Sequence, residues 1–169
     1  MESNSENGKS EADKALAEAE AAKKAAQNFI DSIKNDDLNQ FKNQNKPSKN
    51  YFLIYKLIYL IFNPNEKVPS DNISKELPNI KNKCLKENPT QFKKTMTDRL
   101  NDISWITPEF LNKVKMYTEF PYTDPKQMEN ISATCKIMVS YFHNLINYKT
   151  LYEKYEQLAK KAAATTEQK

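Results

Sequence analysis

The side chains able to do covalent, metal or acid–base chemistry are few, and their spacing does not assemble a site. His143 is the single histidine. It follows Phe142 with no Cys, Asp or Glu at ligand spacing, so a packing or surface role outweighs metal binding or proton transfer. Cys84 and Cys135 fall on different expected helices, each without a second thiol nearby, which argues against zinc. Asp36 and Asp37 are adjacent, but neighbouring side chains on a helix diverge, so a solvated helix end explains them better than a catalytic dyad. The only glycine, Gly8, lies in the polar N-terminal stretch, so no glycine-rich loop can cradle a phosphate. No catalytic residue, cofactor, metal ligand or ATPase site is expected. Two cysteines are too few for a disulfide framework and point to a reduced, cytosolic setting. Asn72-Ile73-Ser74 and Asn130-Ile131-Ser132 match the glycosylation tripeptide, which chance supplies easily in an Asn-rich chain.

What the chain does offer is charge, unevenly placed. Residues 1–45 hold six lysines against nine acids (−3), residues 46–148 fourteen lysines and one arginine against ten acids (+5), and residues 149–169 five lysines against three acids (+2). The total is +4. An acidic partner therefore docks on the middle rather than on the ends. Within that middle, Lys49, Phe52 and Lys56 fall on one side of an expected helix, as its exposed edge. Lys93, Lys94 and Arg99 lie off the apolar stripe of another.

The elements that position these residues are helices. A single glycine in 169 residues disfavours hairpins and barrels. A composition 38% hydrophobic and 28% charged suits a small core with long solvated helices. No apolar run reaches the length of a membrane span, and there is no signal-peptide pattern. Residues 1–11 are polar and are expected to be a disordered leader. From Ala12 the chain turns helical, and Ala15, Ala19, Ala22, Ala26, Phe29 and Ile33 step by four and three as a coiled-coil seam. This first strand is expected to span residues 12–46, until Pro47 breaks it. Ser48 then caps a helix that is apolar almost throughout from Tyr51 to Phe62, and so is buried.

Pro64, Pro69, Pro78 and Pro89 punctuate the next stretch, where Ile80, Cys84 and Leu85 suggest a short helix. Phe92, Met96, Leu100 and Ile103 trace an amphipathic helix. Thr107-Pro108-Glu109 and Asp124-Pro125 each place a capping side chain before a proline at the first helical position. The helix from Thr107 buries Phe110, Leu111, Val114 and Tyr117. The helix after Pro125 has no further proline or glycine. Its stripe of Met128, Ile131, Cys135, Met138, Phe142 and Leu145 packs the domain. Tyr148, Tyr152, Tyr155, Ala159 and Ala162 then continue as the seam of a second strand, residues 148–169. The two end helices can pair antiparallel. The expected fold is all-α: a bundle of about five to six helices, residues 47–147, at the tip of an antiparallel two-stranded coiled coil.

One further observation comes from the order of particular residues. Ile106, Pro108, Tyr117, Pro121, Pro125, Ser132, Cys135, Met138-Val139, Tyr141 and Tyr148 form one pattern. The run from Ile33 to Pro47 leading into LIYKLIYLIFN forms a second. Together they resemble the stalk tip of dynein heavy chains, the microtubule-binding domain with the ends of its two coiled-coil strands. The resemblance covers most of the chain. It implies a non-catalytic piece of a motor ATPase that binds the tubulin dimer of microtubules and joins the rest of the heavy chain through the stalk. It implies no membrane and no nucleic-acid partner, and a place in the cytoplasm and cytoskeleton. The stretch from Asn63 to Phe92 is longer than in cytoplasmic members, which leans toward a ciliary or flagellar axoneme. Phe52, Lys56, Asn130 and Ser140 occupy positions at or near the family's tubulin contact, with Lys, Glu, a base and Lys, respectively, common there in the family. The contact here is expected on Lys49, Lys56, Lys93, Lys94, Arg99 and Lys136. In the family, the two strands slide and the tip's affinity follows their register. The proline common where the second strand leaves the domain is missing between Tyr148 and Leu158.

Without the resemblance, the same residues support two rivals. One is a non-motor hairpin that docks a protein through the helix Tyr51–Phe62, favoured if that helix is exposed. The other is a nucleic-acid-binding helical domain, suggested by the basic middle. In the latter, Tyr148, Tyr152 and Tyr155 would have to leave the seam to stack on bases.

Overall fold

The computed structural model describes residues 2–115 and 132–167. Among the described residues there are seven α-helices: α1 Glu2–Ser32, α2 Asn35–Lys42, α3 Lys49–Phe62, α4 Ile73–Ile80, α5 Pro89–Asn101, α6 Pro108–Lys113 and α7 Ala133–Glu167. A π-helical turn, Lys81–Leu85, joins α4 to α5. The fold is all-α, a small helical bundle carried by two long helices.

Helices α1 and α7 pair antiparallel. Near the start of α7, just beyond the end of α1, the Thr134 hydroxyl donates to the Asp37 carbonyl oxygen of α2 at 3.5 Å. Further along, the Lys23 ammonium lies 5.7 Å from the Tyr148 ring centroid. Further still, Lys154 shares a cleft with Glu11, Lys14, Ala15 and Glu18. As numbers rise on one helix, they fall on the other. The seam on α1 is Ala12, Ala15, Ala19, Ala22, Ala26, Ile30 and Ile33, all buried. Small alanines let the helices approach closely. Tyr148 is buried and the two later tyrosines are half-buried. The ring pairs 148–152 and 152–155 lie 5.9 and 5.8 Å apart.

Four expectations change here. The polar stretch expected to be a disordered leader is the first part of α1. The seam passes through Ile30, 1% exposed, rather than Phe29, which is half-buried beside it. The first strand does not run unbroken to Pro47, because α1 stops at Ser32 and α2 begins at Asn35. Lys34, between them, is extended, with φ −80° and ψ 144°. Finally, α7 begins at Ala133, where Ser132 accepts the Cys135 amide at 2.9 Å as a cap. A serine cap opens a helix, so α7 has its own start at Ser132. Tyr117, Pro121, Asp124, Pro125, Met128 and Ile131 lie outside the described residues.

The other helix starts agree with their capping chemistry. Ser48 accepts the Tyr51 amide at 3.2 Å, Asn88 the Gln91 amide at 2.9 Å, and Thr107 the Phe110 amide at 3.1 Å. Helix α3 is the centre of the bundle and packs against α4, the π turn, α5 and α7. Every residue from Tyr51 to Phe62 is buried. Pro78 lies inside α4, where it removes an amide donor. The Lys81 amide is shared between the Leu77 and Pro78 carbonyls, and the chain widens there into the π turn.

Candidate functional site

The basic residues expected to meet an acidic partner divide into two groups once packed. Lys49, in the first turn of α3, and Lys94, on the outer face of α5, are exposed. Lys56 is not: it is 2% exposed and its ammonium bonds Asp71 at 2.6 Å. It also lies 5.7 Å from the Phe52 ring, and Phe52 is itself 2% exposed. The expected exposed edge of α3 is therefore a buried one, apart from Lys49. A central helix has no free side, so this lysine runs its stem through the core to a carboxylate at the rim.

Lys93 and Arg99 are likewise occupied internally. The Lys93 ammonium donates to the Ile33 carbonyl at the end of α1. The Arg99 guanidinium donates to the Phe62 carbonyl at the end of α3, at 2.9 Å, and lies 5.6 Å from the Trp105 ring. Cations suit these positions, because the last carbonyls of a helix lack intrahelical donors and carry partial negative charge. Lys113 extends the pattern, donating to the Pro64 and Glu66 carbonyls at 3.0 and 2.8 Å. Lys93, Arg99 and Lys113 thus tie helix ends and the loop after α3 together.

Lys136 is half-buried on α7, and Ser140 is buried at 7%. Asn130 lies outside the described residues. The seam residues Ala19, Ala22, Ala26, Ile33 and Tyr148 are buried.

No catalytic constellation gathers among the described residues. Both thiols are buried. Burial pushes Cys84 upward and Cys135 up to about 11, so neither is an activated nucleophile. No group of three His, Cys, Asp or Glu side chains converges on a metal-sized site among the described residues. A cleft of about 320 Å³ lies where α2, α3 and α7 meet, lined by Asp37, Gln40, Phe41, Gln44, Ser48, Tyr51, Ser132 and Thr134. It holds no acid–base pair.

The exposed lysines not singled out by sequence include Lys46, between α2 and α3, and Lys86, just past the π turn. For Lys86 the signal was the dense run KNKCLK at residues 81–86, in the stretch where prolines obscured the elements. No protein-family model, curated protein or solved structure matches the chain.

Proposed function

We propose that this chain is the microtubule-binding stalk tip of a dynein heavy chain. The observation that supports the reading best is the arrangement of its ends. An antiparallel pair, α1 and α7, opens into a helical bundle, and α1 enters it through a break, a short helix, and a Pro47-Ser48 turn into the central helix α3. Displacing α1 along α7 must then move α2 and load α3, which is packed on all sides. Such a packed junction is the kind of two-state element that distant control of affinity requires. Lys49 and Lys94 remain exposed for an acidic track, and each such contact is worth ~0–1 kcal/mol. Docking of a non-motor partner through Tyr51–Phe62 has no support, since that helix is buried.

Co-sedimentation with microtubules across a salt series tests the reading. Binding at low ionic strength should weaken steadily as salt rises and the screening length falls to ~8 Å at physiological strength. Absence of pelleting at the lowest salt would overturn it.

A further inference from the structure

The π turn changes which lysines face outward together. It sends Cys84 and Leu85 into the core and leaves Lys83 and Lys86 exposed, with Lys81 half-buried. The chain leaving α2 runs alongside. The Lys81 ammonium lies 3.4 Å from the Asn45 side-chain oxygen, and the Lys42 ammonium donates to the Glu87 carbonyl. These two contacts bring Lys46, Lys81 and Lys86 to one margin of the bundle. Glu87 lies at the same margin; it accepts from the Thr95 hydroxyl at 3.3 Å and its charge acts on Lys42. Lys42 and Glu87 offset each other, and Lys83 is paired with Glu66 at 2.5 Å. Three positive charges remain, on Lys46, Lys81 and Lys86.

Building on the track-binding reading, we infer that this margin is a docking site for an acidic polypeptide segment rich in Glu or Asp. The recognition chemistry is lysine alone. No arginine supplies the planar fork that favours phosphate, and Tyr51, Tyr55 and Tyr59 nearby on α3 are buried, so no ring is offered to a base. An anionic membrane gains ~1 kcal/mol per lysine and would want an apolar anchor beside them. Flexible carboxylates can adjust to three spaced ammonium groups without either.

The test uses the full chain and fluorescein-labelled poly-glutamate, followed by anisotropy at low salt. Wild type should bind, and the combined variant Lys46→Glu, Lys81→Glu, Lys86→Glu should bind about tenfold or more weakly. A variant with the same charge change on the arms, Lys14→Glu, Lys24→Glu, Lys160→Glu, should bind as wild type. Amide shift changes in wild type should centre on residues 44–48 and 80–88, a readout independent of how the variants fold. Equal losses in both variants, no wild-type binding, or tighter binding of duplex DNA or phosphatidylserine vesicles through the same lysines would overturn the site. Microtubule pelleting run in parallel separates the two claims. If wild type binds poly-glutamate but does not pellet, the dynein reading fails and the acidic site stands. If the margin variant pellets as well as wild type, the reading stands and the site fails.

Discussion

The Lys93 ammonium donates to the main-chain carbonyl of Ile33, 60 residues earlier in the chain. Four residues further along α5, Thr97 accepts from the Gln27 side-chain amide at 3.3 Å. Helix α5 therefore holds the last turns of α1 at two points, just before the break that leads to α2. Lys93→Met keeps the stem and removes the charge and donor. It should cost about 1 kcal/mol in urea unfolding, the scale of a partly solvated charged hydrogen bond at a helix end. An unchanged midpoint would mean that the clasp contributes nothing.

The Lys56–Asp71 bridge makes a pH prediction. The hydrogen bond from Lys56, and then its charge, hold the Asp71 carboxyl below its usual range. A lowered folded value adds stability that is present above the unfolded value of about 3.9 and is lost as pH falls through the folded one. Asp71→Asn should therefore melt below wild type near neutral pH. The gap should close as pH falls through the folded value, below which Asp71 is neutral in both folded and unfolded chains. A gap of constant size across the series would rule out this linkage.

The alanine seam predicts intolerance to bulk. Ala26 is fully buried, and Ala21 on the same helix is exposed. Ala26→Leu should destabilise by about 1–3 kcal/mol through overpacking. Ala21→Leu should stay within about 0.5 kcal/mol of wild type. Thermal or urea midpoints decide it, and equal effects at both sites would contradict the seam.

The cysteines predict silence toward thiol reagents. Cys84 and Cys135 are buried and their thiols are held protonated by desolvation. Ellman's reagent at pH 8 should label neither in the native chain and both after denaturation. Rapid native labelling of either would contradict its burial.

Much of this architecture was legible in the sequence because it rests on local chemistry. Ser48 and Thr107 cap their helices within three residues, as their side chains dictate. The alanine spacing and the uniformly apolar Tyr51–Phe62 run are equally local. The choice between Phe29 and Ile30 was not, since both stand at permitted spacing from Ala26 and Ile33. Tertiary packing buried Ile30 and left Phe29 at the rim.

The candidate site was less legible than the fold. Composition and periodicity determined an all-helical chain with seam-forming ends and a basic middle. Where the cations point is a long-range matter. Lys56 meets Asp71 across 15 residues, Arg99 meets Phe62 across 37, and Lys93 meets Ile33 across 60. A lysine off an apolar stripe looks available on its own helix, yet a helix end packed beside it offers unpaired carbonyls that draw it inward. Only the tertiary structure could decide that Lys56, Lys93 and Arg99 hold the bundle together while Lys46, Lys49, Lys86 and Lys94 face solvent.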